Sequence, residues 1–153
     1  MANEIKLKNI ASANFTITLA GLANGSARAS ASVDNSTTDY PFALVQLRIT
    51  SGATAPTAGT LYEIYLLRRD ANIGTDGWAG TDAAITIENA PMLGTIVVTA
   101  TAAKAFYGEF DTTVLGALGP TVGIAVKNSS GQAFSATEAD HIKDYTFMVP
   151  EIQ

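Results

Sequence analysis

Tyr40-Pro41-Phe42-Ala43-Leu44-Val45-Gln46-Leu47-Arg48-Ile49-Thr50 is the run that decides the fold, read with Thr60-Leu61-Tyr62-Glu63-Ile64-Tyr65-Leu66-Leu67-Arg68-Arg69, which follows across a Gly/Ala/Pro/Thr loop. In the first run Ala43, Val45, Leu47 and Ile49 form one unbroken apolar set. Tyr40, Phe42 and Leu44 alternate with them, then give way to Gln46, Arg48 and Thr50. A period of two is the signature of a strand, because successive Cβ atoms point to opposite sides. One face is therefore set against a core, and the other is covered over its first half only. In the second run Tyr62, Ile64 and Leu66 share a face. Tyr65 and Leu67 lie opposite, either as the second face of a sandwich or as a patch exposed to a partner. The pair reads as the centre of one β-sandwich.

The same alternation recurs on both sides. Upstream, Phe15, Ile17 and Leu19 mark a half-buried strand over 14–20, and Asn24-Gly25 marks a turn. Ala27, Ala29, Ala31 and Val33 predict a strand over 27–34 with small inward side chains. Downstream, strands are expected over 83–88, 92–101, 105–111, 121–128 and 145–149. Phe106 and Phe110 point inward, Tyr107 and Glu109 outward. Residues 135–143 leave room for one short helical turn. No segment keeps a 3.6 period over a dozen residues. The expectation is all-β: a single-domain antiparallel β-sandwich of about eight strands, jelly-roll-like, spanning 1–153, with residues 1–13 as an N-terminal arm or short first strand.

Composition narrows the function classes. The formal net charge is −5 with nine Lys and Arg. They are scattered apart from Arg68-Arg69, which argues against nucleic acid as a partner. No apolar run reaches the ~18 residues of a membrane span, and the first residues lack the apolar core of a signal peptide. Synthesis in the cytoplasm is therefore expected. There is no cysteine, which removes disulfides and thiolate metal sites. Charged residues make up 15%, against a usual ~25%. A surface this poor in charge suits contact with other subunits, or simply a neutral β domain.

Catalytic patterns are not found. His141 is the one histidine. It lies in the polar run Glu138-Ala139-Asp140-His141-Ile142-Lys143 and reads as a surface residue. Gly-x-Ser-x-Gly is absent, as are the phosphate-cradling glycine patterns. Glu109 and Asp111 share a strand face, but nothing marks them as an acid/base pair. Asp70, Asn72 and Asp76 begin like a calcium loop. Gly74 and Thr81 then stand where further oxygen ligands are required. The chain is read as a non-enzyme with no cofactor and no metal. Trp78, on a loop rich in Asp and Gly, is open to three roles: a stacking platform for sugar, a subunit contact, or an anchor for its own loop.

Several runs resemble a recurring pattern in small virion structural proteins of tailed bacteriophages, most like capsid decoration (cement) proteins. They are Asn24-Gly25-Ser26-Ala27-Arg28-Ala29-Ser30-Ala31-Ser32-Val33-Asp34-Asn35-Ser36, the strand Phe42 to Leu47, Gly59 to Leu67, Thr81 to Thr86, and Gly123-Ile124-Ala125-Val126-Lys127-Asn128-Ser129-Ser130-Gly131. The resemblance implies a protein on the outer capsid surface that binds the major capsid protein, often as a trimer, and brings no catalytic residues with it. A carbohydrate-binding or adsorption module of a phage tail is the alternative. Tyr40, Phe42, Tyr65, Leu67 and Trp78 are the candidate interface residues, with the terminal arms 1–13 and 150–153 as further contact elements.

Overall fold

A computed structural model describes residues 5–152. Its strands are β1 (Ile5–Asn14), β2 (Ala27–Ala29), β3 (Val33–Asp34), β4 (Phe42–Thr50), β5 (Leu61–Arg69), β6 (Ala83–Ala84), β7 (Met92–Val97), β8 (Ala105–Asp111), β9 (Thr121–Ser129) and β10 (Ile142–Ile152). Three short 3-10 turns, Thr75–Gly77, Thr112–Leu115 and Glu138–Asp140, are the helical elements among the described residues. One sheet runs β1-β10-β4-β8; the other runs β6-β2-β9-β5-β7, with β3 also on β9. Every pairing is antiparallel.

The jelly-roll order follows from these pairings. β2 and β3 both pair with β9 and act as one interrupted strand, while β6 adds two residues at an edge. Counting β2–β3 as one strand and omitting β6 leaves eight. In chain order the sheets then read 1-8-3-6 and 2-7-4-5, the double Greek key of a jelly roll. The expected number of about eight is thus reached with a partly different set: β1 stands where a strand over 14–20 was expected, and β6 is not counted.

The core is built as the alternation predicts. Ala43, Val45, Leu47 and Ile49 of β4 meet Tyr62, Ile64 and Leu66 of β5 and Val122, Ile124 and Val126 of β9 in one cluster between the sheets. Phe110 wedges between the sheets at two glycines. A Cβ on Gly94 or Gly108 would come within 2.4 and 2.6 Å of its ring, so those positions accept no side chain.

Several strand expectations need correction: the strand expected over 83–88 is only Ala83–Ala84, that over 92–101 ends at Val97, and two more differ in their pairing. Residues 14–20 alternate as predicted, with Phe15, Ile17 and Leu19 in the core, but beyond Asn14 they join no ladder. This stretch crosses from one sheet to the other, so side chains and loops take its backbone groups. The carboxylate of Glu138 accepts the N–H groups of Leu19 and Ala20 at 2.8 and 2.7 Å. Asp82 accepts that of Thr18. The predicted strand 27–34 is broken in the middle, because Ala31 donates to Thr16 and Ser32 to Gly80 instead of to β9.

Residues 70–90 lie on the outer face of the β9–β5 sheet. Trp78 closes over Ala29, Tyr65, Leu67, Ala90 and Ala125, making a second apolar layer. Its ring rests on Gly123, where an added Cβ would stand 2.5 Å from it. Its indole N–H donates to the Ser30 carbonyl at 2.9 Å.

Candidate functional site

The groups that sequence reading offered for chemistry are occupied in fastening loops. Asp76, held at φ +50, accepts the backbone N–H groups of Glu88, Asn89 and Ala90 at 2.8–3.0 Å. These three donors hold its carboxyl below the usual range against the opposing effect of burial. Asp70 accepts from Asn72 and Ile73, both at 2.7 Å. The calcium-like spacing is thus a set of turn and loop bonds. Among the described residues no three or more His, Cys, Asp or Glu gather as metal ligands. Glu109 accepts from Gln46 at 2.7 Å, and Asp111 caps the turn that follows it through Thr113. Asp82 pairs with Arg28 at 2.5 Å.

His141 corrects the surface reading: it is 4% exposed. Its Nδ1 accepts the Thr50 N–H at 3.3 Å, and its Nε2 lies 3.2 Å from the Ser135 carbonyl. That network assigns a neutral ring with the proton on Nε2. The Ser135 hydroxyl is turned away from the imidazole and donates to Asp140 at 2.6 Å. Burial pushes the His141 pKa below its ordinary value, over the opposing effects of Ser135, Glu138 and Asp140. A folded-state pKa below the unfolded one means that the unfolded chain takes up the proton first on acidification. Stability is therefore full above about pH 6.5, the unfolded value, and is lost as pH falls through the folded pKa. Urea midpoints should hold level above about pH 6.5 and fall below it as the pH approaches the lowered folded-state pKa. The slope in that window should flatten in His141→Gln. An unchanged slope in the variant would contradict the assignment.

The five candidate interface residues divide in two. Tyr65, Leu67 and Trp78 are internal to the chain. They belong to the second apolar layer and offer no surface to a partner, so Trp78 takes the anchoring role. Tyr65 also donates its hydroxyl to Glu63, and burial pushes its pKa up to about 12. Tyr40 and Phe42 are half-buried. Tyr40 packs on Phe147 at 4.9 Å between ring centroids. Phe42 lies opposite Met148 on the outer face of the β1-β10-β4-β8 sheet.

That outer face carries surface the sequence reading passed over. β4 begins opposite Met148, whereas β10 and β1 stay paired out to Ile152 and Ile5. Ile5–Lys8 and Val149–Ile152 therefore form a two-stranded ribbon overhanging the sandwich. Register places Ile5, Leu7 and Pro150 on the same face as Met148 and Phe42. Ile5 is 72% exposed and Leu7 46%. At the other end of the same face, Gln46, Arg48, Tyr107, Glu109 and Ile142 line a shallow groove of about 390 Å³. Its wall Tyr107 is 72% exposed. The alternation Ile5-Lys6-Leu7-Lys8 was the available signal for the ribbon. The arm expectation covered these residues; its parts on 1–4 and 153 lie outside the described residues. Comparison with family models, with curated proteins and with solved structures finds no significant match.

Proposed function

We propose that this chain is a non-enzymatic structural protein of a tailed-bacteriophage virion: a capsid decoration protein, made in the host cytoplasm. It binds the major capsid protein on the outside of the head and braces it as a homo-oligomer. The observation that carries the reading is the apolar ribbon held beyond a filled sandwich, in a chain whose histidine and loop carboxylates are spent on its own fastening. Jelly rolls recur in viral capsid domains and in lectins, and a fold alone does not assign a role. The resemblance in residues 24–36, 42–47 and 123–131 adds the class. The mechanism is mechanical: burying on the order of 1,000 Å² against shell subunits raises the barrier to rupture.

The test is to mix the purified protein with expanded empty heads of the encoding phage and image them. Saturable density at symmetry positions, with heads surviving higher temperature, is expected. No binding to an expanded shell removes the reading. The tail-module alternative relied on Trp78, which is interior; Tyr107 is the exposed ring left to it. A glycan-array hit lost in Tyr107→Ala would favour that alternative.

A further inference from the structure

We infer that a pocket where β5 ends and β9 begins binds a monocarboxylate with an apolar tail, and that Arg68 holds its head. The site goes beyond the virion reading and does not depend on it.

Alternation puts Arg68 on the core side of β5, in line with Tyr62, Ile64 and Leu66. Its ladder partner is Val122, itself a core residue. A cation taken out of water is costly unless it is paired and hydrogen-bonded. Arg28 meets that demand with the Asp82 carboxylate. Arg48 donates through both Nε and Nη2 to the Asp140 and Ala139 carbonyls. Arg68 has carbonyls on one nitrogen only: its Nη2 donates to Leu115 and Gly116, at 2.6 and 3.2 Å. Its Nε is buried without an acceptor, and its Nη1 makes no bond among the described residues. Burial pushes its pKa down, and no acid among the described residues acts against that. A guanidinium has five N–H donors and no acceptor. Here its charge is unanswered within the chain, and a buried donor left over in a native fold calls for an acceptor from outside.

The backbone under this side chain is held in place. The Thr75 hydroxyl accepts the Arg68 N–H at 3.1 Å and donates to the Arg68 carbonyl at 3.0 Å. The pocket has a volume of about 430 Å³, and Ile73, Leu118 and Pro120 give it apolar walls beside Arg68, Arg69 and Asp70. Ile73 is 74% exposed, an apolar side chain with little cover of its own.

Charge decides the class of ligand. The Asp70 Oδ1 accepts the Asn72 and Ile73 N–H groups, both at 2.7 Å. Those two bonds lower the Asp70 pKa, and the Arg69 charge lowers it further. Asp70 is therefore ionised and offset by Arg69, which leaves the single positive charge of Arg68. One negative charge matches it. A phosphate dianion would set a second charge against Asp70, and the apolar walls offer it nothing. A planar carboxylate also suits the fork of a guanidinium. Such a group comes either from a free carboxylic acid or from the C-terminus of a protein chain.

The experiment titrates the full chain with hexanoate and follows amide and arginine Nε–Hε signals by NMR. The bonded Nε groups of Arg28 and Arg48 serve as internal controls. A saturable shift is expected at the Arg68 Nε–Hε signal and at the amides of 69–75 and 118–119, with a dissociation constant of about 1 mM for a ligand this small. Hexanol should give no such shift, and inorganic phosphate should bind at least ~tenfold more weakly. Acetyl-dileucine with a free C-terminus, compared with its amide, tests the second source: tighter binding than hexanoate assigns a chain end, weaker binding a free acid. Arg68→Gln should raise the dissociation constant at least ~tenfold. Asp70→Asn keeps an acceptor for the turn but removes the opposing charge, so binding should tighten about threefold. If Arg68→Gln fails to fold, Asp70→Asn and the hexanol comparison decide. No saturable shift at Arg68, an equal response to hexanol or phosphate, or weaker binding in Asp70→Asn would overturn the site and leave Arg68 as a fastener of residues 115–116.

Discussion

Replacing Trp78 with alanine is expected to destabilise the fold by about 3–5 kcal/mol, the range for emptying a buried aromatic site. For a chain of this size that is a loss of roughly 10 °C in melting temperature. Three effects act together. The ring that fills the space over Gly123 disappears. The apolar faces of Tyr65, Leu67 and Ala125 lose their cover. The Ser30 carbonyl loses its indole donor. The site cannot collapse easily, because the loop above is pinned by the three backbone bonds to Asp76. Trp78→Phe keeps an aromatic body but no donor and should cost less than half as much. Far-UV circular dichroism in urea measures both, since the variants lack the fluorophore. Hydrogen exchange should show protection lost first over residues 70–90. A side chain displayed for a partner would leave the isolated protein's stability within about 0.5 kcal/mol of wild type, and that result would reverse the assignment of Trp78.

The contrast between Trp78 and β4 shows what was readable beforehand. Ala43, Val45, Leu47 and Ile49 announce their burial because strand geometry forces alternate residues to one side, whatever the rest of the chain does. The same holds for Phe15, Ile17 and Leu19, although not for their hydrogen bonds, which depend on where Glu138 and Asp82 arrive in space. The cover over Tyr65 and Leu67 comes from a loop with no period, so alternation left both alternatives open. His141 sits among polar neighbours in sequence. Its burial is made by Thr50, Ser135 and the Phe134 ring, 5.9 Å away between centroids, and no local pattern reports that. The pairing of β1 with β10 joins the two ends of the chain. The ribbon, and the face it shares with the groove, exist only once that pairing is known.

Asn128 should prove the most sensitive polar residue of the core, through its chemistry more than its volume. It is fully buried on β9. Its amide donates to the carbonyls of Leu22 and Gln132, both at 2.8 Å. Its carbonyl oxygen accepts the Ser130 N–H at 3.1 Å and the Ser130 hydroxyl at 2.7 Å. All four of its hydrogen-bonding positions are used, and together they join residue 22 to the turn at 128–132. Asn128→Ala removes four bonds worth about 1 kcal/mol each and orphans the Ser130 N–H, so a loss of about 4 kcal/mol is expected. Asn128→Asp keeps the shape and should be worse at neutral pH. It sets a buried carboxylate against two carbonyl oxygens that formerly received hydrogens. Such a carboxyl has a folded-state pKa raised above its unfolded value near 4. Stability linked to it is present below the unfolded pKa and lost as pH rises through the folded one. The deficit of Asn128→Asp relative to wild type should therefore shrink as pH falls from 7 toward 4, while wild type itself weakens through His141. Urea midpoints for both proteins across that range provide the check. A deficit that stays constant with pH would mean that the site is wet, and that the hydrogen bonds drawn to Asn128 are not what holds the 128–132 turn to residue 22.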